Sequence, residues 1–310
     1  MQEMGRFARS WMLFKTSLSV VANNKELLLF PIVTALLMIV IFLFFLAPVA
    51  LMPTGYSLTQ VEHWQTIGNR IVVETAAGDS EKPHFTFSTP ALAYLVFLYL
   101  ASMFLATFFN VAFYNEILAA LSGQPVSVAR GLRFAMTRLK AILMWSLLAG
   151  IVGLVIKALE ERFGLIGRIV MRLIGVAWSV ASVFAVPIIV REEEATNPVR
   201  TLKKSADILR RTWGEALIGY VGVSFASGLI VLGSLVFLVI AVIASIALNS
   251  GWIIGIAAVL WFLGVLAFGY LTSVMSQVYK GALYLYAADQ IVAAPYSADM
   301  FNSAWKFKKK

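Results

Sequence analysis

Residues 27–52 run for more than twenty positions without one charged side chain. Coiled as a helix at about 1.5 Å per residue, the run outreaches a hydrocarbon layer of roughly 30 Å. In lipid a lone segment must pair its own backbone amides and carbonyls, so a spanning helix is the form open to it. Pro31 falls near the first turn, where a missing N–H costs nothing. A secretory signal is the competing reading, with Ala47, Pro48, Val49 and Ala50 as a faint cleavage site. Its charged leader would be unusually long, its apolar core is too long, and further spans follow.

Five more runs, at residues 91–121, 141–159, 165–190, 215–248 and 252–288, bring the expected spans to about six. Charged residues make up only 13% of the chain, against about 25% in soluble domains. The sequence therefore reads as all-α, one integral membrane domain built as a polytopic helix bundle. Most of the 25 lysines and arginines cluster before the first span and in the connections after the second, fourth and sixth. Under the positive-inside rule both termini then face the cytoplasm. Lys157, Arg162, Arg168 and Arg172 break the pattern; Glu160 and Glu161 offer them partners, and long basic side chains snorkel to the interface. The external loop, residues 53–90, alternates apolar and polar residues around Gly78 and Asp79, which fits a small hairpin or an irregular loop. Helices longer than the membrane is thick must tilt or protrude, and the short connection at Asn249 to Gly251 sends the surplus of the last two to the cytoplasmic side.

A basic stretch with helical apolar spacing precedes each helix pair. The first sets Met4, Phe7, Trp11, Phe14, Leu18 and Val21 against Arg6 and Arg9. The second sets Val128, Leu132, Ala135, Met136 and Leu139 against Arg130, Arg133 and Arg138. The third sets Val199, Leu202, Ala206, Leu209 and Trp213 against Arg200, Lys203, Lys204 and Arg211. Pro125 and Pro198 would open the last two. This divides the chain into residues 1–26 (amphipathic helix), 27–121 (first hairpin), 122–190 and 191–290 (helix plus hairpin, twice) and 291–310 (basic cytoplasmic tail). Such helices lie in the interface, and the named cations are candidate contacts for anionic lipid head groups, at about 1 kcal/mol per charge near the surface. They serve equally as connectors whose charge fixes topology.

Ionisable and amide groups in lipid are costly, which singles out Asn110, Asn115, Glu116, Gln277 and Lys280 as a candidate intramembrane polar cluster. A Glu116–Lys280 pair would lock two helices or line a cavity. Small residues at intervals of four (Ala177, Ala181 and Ala185; Ser224 and Gly228; Gly251 and Gly255) mark expected close helix contacts, and Pro187 an expected kink. His63 and His84 lack metal-ligand spacing. Cysteine is absent, the adjacent carboxylates of Glu160–Glu161 and Glu192–Glu194 splay around a helix, and phosphate loops and nucleophile elbows are missing. The chain therefore reads as a non-enzyme without cofactor or metal. Its net charge of +9 sits beside apolar spans and so favours lipid over nucleic acid.

Pro187 to Val190, the acidic Glu192 to Glu194, Pro198, Ser205, Leu209 and Trp213 resemble the connecting region of uncharacterised bacterial six-helix membrane families. The membrane domain found with some glycerophosphodiester phosphodiesterases is distantly similar there. Arg6 to Trp11, Lys25 to Pro31 and Tyr279 to Ala287 extend the resemblance over nearly the full length. It implies a multi-pass protein of a bacterial inner membrane and brings no activity with it. The expected role is a lipid-engaging scaffold or partner-binding subunit. The alternative is a transporter or channel for a lipid-like or small solute, with a homo-oligomeric pore as one form.

Overall fold

The computed structural model describes residues 6–75, 84–211 and 213–302. Its elements are α1 (Arg6–Asn23), a 3-10 turn (Lys25–Leu28), α2 (Leu29–Ala50), α3 (Val61–Ile71), β1 (Val72–Thr75), β2 (His84–Phe87), α4 (Thr89–Leu121), α5 (Val128–Thr137), α6 (Leu139–Arg162), α7 (Leu165–Ala181), α8 (Ala185–Arg191), α9 (Pro198–Arg211), α10 (Trp213–Ala247), α11 (Gly251–Asp289) and α12 (Ala298–Asn302). Among the described residues, six helical stretches are long and apolar enough to cross a membrane: Lys25–Ala50, Thr89–Leu121, Leu139–Arg162, Gly167–Arg191, Ile230–Ala247 and Gly251–Asp289. The protein is an all-α, multi-pass membrane protein.

Burial is strongly one-ended. In α4 every buried residue lies at or beyond Thr107, in α11 all but Ala257 lie at or beyond Val274, and α2 buries only Phe30. The rest of these helices present bare apolar side chains such as Phe44, 72% exposed, and Ile246, 75% exposed. Water would not tolerate so much apolar surface, whereas lipid tails are as apolar as leucine and impose no such penalty. Three contacts fix α2 lengthwise: the Tyr270 hydroxyl donates to the Leu28 carbonyl, Phe30 stacks on Phe113 at 5.2 Å, and the Tyr94 hydroxyl donates to the Phe45 carbonyl. With 22 residues, α2 spans about 33 Å, close to one hydrocarbon thickness. α4 with 33 residues and α11 with 39 are longer, and their surplus builds a packed head at one end.

The three basic helices join that head. α1 packs on α10 and α11, α5 on α4, and α9 on α7, α8 and α11. Leu13, Phe14, Val20 and Val21 of α1, Ala135 of α5 and Ile208 and Leu209 of α9 enter one core with Ile117, Ile142, Ile189 and Met275. The apolar faces read from the sequence as lying on lipid are thus largely spent inside the protein. The protruding ends of α4 and α11 give them a close-packed apolar surface, which lipid tails cannot match. Trp11, Val199 and Met136 remain exposed, at 37%, 54% and 57%, and the side chains of Met4, Phe7 and Trp213 lie outside the described residues. After α11 the chain turns through Gln290 in the left-handed region (φ 55) and returns as a strap over α1. There Tyr296 and Ser17 share a hydrogen bond of 2.8 Å and Phe301 stacks on Tyr286 at 4.7 Å. Residues 291–302 are therefore docked rather than a free tail; the tail's lysines, Lys306 to Lys310, lie outside the described residues.

Other expectations change in the same way. The fourth span is interrupted rather than kinked: α7 ends at Ala181, α8 starts at Ala185, and Pro187 occupies the first turn of α8, where proline is tolerated. The buried Ser205 hydroxyl of α9 accepts the Phe184 N–H at 3.0 Å, satisfying a donor that the interruption frees. Ser205→Ala is expected to cost about 1–3 kcal/mol, the usual penalty for orphaning a buried donor, seen as a lowered unfolding temperature in detergent. An unchanged transition would show that the N–H finds another partner. α5 begins at Val128 behind the cap Ser127, leaving Pro125 in the loop, whereas Pro198 does open α9 behind Asn197, whose side chain accepts the Arg200 N–H at 3.1 Å. Trp213 starts α10. The expected hairpin is present as β1 and β2, antiparallel with Val72 opposite Phe87, while its turn at Gly78 and Asp79 lies outside the described residues. α3, unforeseen, precedes it and is anchored by His63, whose ring nitrogens bond to Thr54 at 2.6 Å and the Ala50 carbonyl at 2.8 Å. A methyl group added at Gly228, Gly251 or Gly255 would meet nothing within 4 Å. The tight approaches are instead at Gly131, Gly150, Gly153 and Gly281, where α4 meets α5, α6 and α11.

Candidate functional site

Two charged centres occupy the head. The first surrounds Glu116 on α4, whose side chain is fully buried. Its Oε1 accepts from Arg130 Nε and Asn115 Nδ2, both at 2.9 Å. Its Oε2 accepts from Arg130 Nη2 at 2.5 Å and from the Ser127 N–H at 2.7 Å. A bidentate guanidinium and two further donors saturate the carboxylate, which is the condition for a buried charge to be tolerated. The hydrogen bond to Glu116 holds the Arg130 guanidinium above its ordinary pKa, so it stays charged. Arg130 also donates to the Pro125 carbonyl at 2.7 Å and so closes the α4–α5 loop. The partner expected for Glu116 was Lys280; the structure supplies Arg130 because α5 folds back onto α4. Gly131 permits that approach, since a Cβ there would lie 2.7 Å from the Ala112 carbonyl oxygen.

The remaining members of the sequence cluster disperse. Gln277 accepts from the Tyr114 hydroxyl at 2.7 Å, Lys280 is half-buried on α11, and Asn110 is exposed on α4. The Glu116 centre is saturated by the protein's own donors, which suits it to hold α5 in place and leaves little for a ligand.

The second centre is an open cleft of about 560 Å³ between α8, α9 and α11. Arg191 pairs with Asp289 at 2.9 Å across it, and Lys204 pairs with Glu192. Arg200 and Lys203 of the candidate lipid contacts line this cleft without an ion pair among the described residues, and so does Asp207. Tyr284, only 2% exposed, forms part of its lining. Reading α9 as a cationic stripe located Arg200, Lys203 and Lys204. It missed Asp207 and Tyr284 and did not join α9 to Asp289, a polar group at the inner end of the sixth span, because only the folding of α11 against α9 brings the last two there.

The other candidate lipid contacts differ in availability. Arg133 is exposed. Arg138 lies over the Phe134 ring at 5.3 Å, with its Nε buried and without a hydrogen bond. Arg6 and Arg9 belong to α1 and Arg211 to α9, but their side chains lie outside the described residues. Among the described residues no group of three histidine, aspartate or glutamate side chains is placed to hold a metal ion.

No curated protein and no solved structure matches the chain. A family profile does match, over residues 90–293, well over half of the sequence. That stretch runs from the start of α4 past the end of α11 and takes in both charged centres, while α1 and α2 lie outside it. By this match the chain belongs to a family of unknown function, DUF6159.

Proposed function

We propose that the protein is a non-catalytic scaffold of a bacterial inner membrane that holds anionic lipid, or a partner at a lipid surface, with the cations of its head. The observation that carries this is the fate of the basic amphipathic helices. All three are fastened to one core, and Lys15, Arg133, Lys140, Arg200 and Lys203 stay exposed around it. Cations held by a rigid base meet phosphate groups with little entropy left to lose, and each contributes about 1 kcal/mol near an anionic surface. The positive-inside rule places this head, with both termini, in the cytoplasm.

The test is lipid retention by the full chain. In nanodiscs of mixed lipid, native mass spectrometry should find anionic lipid enriched on the protein, with the enrichment falling as salt rises. R133E together with K203E should weaken it. Equal retention of neutral lipid would end the reading.

Handling of a lipid-like cargo is a second reading. It is favoured by two apolar grooves of about 230 Å³ and 310 Å³, between α2 and α4 and between α10 and α11. Both open along the spans, where an acyl chain would need no polar path.

A further inference from the structure

The cleft between α8, α9 and α11 carries charges of both signs beyond its internal pairs. Arg191 with Asp289 and Lys204 with Glu192 neutralise each other. Arg200, Lys203 and Asp207 are left over, and all three line the same cleft. They fall on one stripe of α9, spaced three and four residues apart. The cationic end and the carboxylate end of that stripe are offset by about 6–10 Å along the axis at 1.5 Å per residue. Arg200 brings a planar fork suited to a phosphate oxygen pair and Lys203 a point charge. Asp207 brings only acceptors, which an anionic ligand would avoid and an ammonium would seek. The Tyr284 hydroxyl, which makes no hydrogen bond among the described residues, adds a neutral donor to the lining.

A purely anionic ligand would leave Asp207 facing a like charge. We propose that this cleft binds a phosphate ester that carries a primary ammonium arm, with the phosphate at Arg200 and Lys203 and the ammonium at Asp207. A primary rather than quaternary ammonium is assigned because a quaternary group is held by several aromatic faces, and among the described residues Tyr284 is the one aromatic side chain lining this cleft. The site goes beyond retention of anionic lipid by the head, since a zwitterion has no net charge to be drawn by that field.

The experiment uses the full chain in detergent, with O-phosphorylethanolamine, phosphorylcholine and inorganic phosphate titrated by calorimetry. In parallel, nanodiscs of phosphatidylethanolamine or phosphatidylcholine, equal in anionic content, are scored for retained lipid. The expected result is at least tenfold tighter binding of the primary-amine ester than of the other two. D207N should erase that preference while keeping phosphate binding, D207E should restore it, and R200A with K203A should lose all three probes. Thermal unfolding of each variant reports whether the fold is kept. Binding of the soluble ester assigns the ligand to water; a preference seen only in the nanodiscs assigns it to a lipid head group. Equal affinity for the three probes, a preference untouched by D207N, or no preference in either setting would overturn the site. Because anionic lipid retention is measured separately, it can fail while this preference stands, and the reverse.

Discussion

Glu116→Ala is expected to be among the most damaging single substitutions in the chain. It strips Arg130 of its bidentate partner and leaves the Ser127 and Asn115 donors without their acceptor at a site that is fully buried on the carboxylate side. Removing one member of a buried pair costs about 3–5 kcal/mol. Because the Arg130 side chain is 41% exposed, its own share is screened by solvent and the lower end of that range applies. The protein in detergent should lose folded yield, and what remains should unfold at a markedly lower temperature. Glu116→Gln keeps the shape and two lone-pair directions and should fall between. Wild-type stability in the alanine variant would mean that α5 is held by packing alone.

Gly131→Val tests that alternative directly. Its Cβ would sit 2.7 Å from the Ala112 carbonyl oxygen and 3.0 Å from both Glu116 Cγ and the Phe30 ring. The first of these neighbours is backbone inside a helix and cannot rotate away. Overpacking of this kind costs about 1–3 kcal/mol, and the added methyls push toward the upper end. The expected result is faster amide exchange in α5 than in α9, together with a lowered unfolding transition. Uniform behaviour of the two helices would show that α4 yields as a whole.

The spans were the most legible part of the sequence, because a spanning helix must be long, apolar and nearly free of charge, and each of these properties can be counted along the chain. The three basic helices were legible for a similar reason, since Phe14, Leu18 and Val21, then Val128, Leu132 and Ala135, then Leu202, Ala206 and Leu209 repeat at helical spacing. What covers an apolar face is a different question, and periodicity cannot tell lipid from protein. Only the protruding ends of α4 and α11 decide it. The Glu116 partner was missed because Lys280 offered the right charge on another long helix. Arg130 instead lies only fourteen residues along the same chain, brought back by the Pro125 to Ser127 turn. Glycine was misread for a related reason. Gly251 and Gly255 fit a spacing, but Gly131 and Gly281 are the ones pressed against a neighbour, and closeness is a property of pairs rather than of one strand of letters.

The one-ended burial has a mechanical consequence. Fasteners concentrated in the head leave the opposite ends of the spanning rods joined by few contacts, such as the Tyr94 hydroxyl on the Phe45 carbonyl and Arg172 on Glu160, by the connecting segments and by hydrocarbon. A thicker or thinner bilayer can then be met by changing rod inclination about a fixed pivot, with few protein contacts broken. The cleft beside α9 sits on the pivot side, so its shape should be insulated from those adjustments.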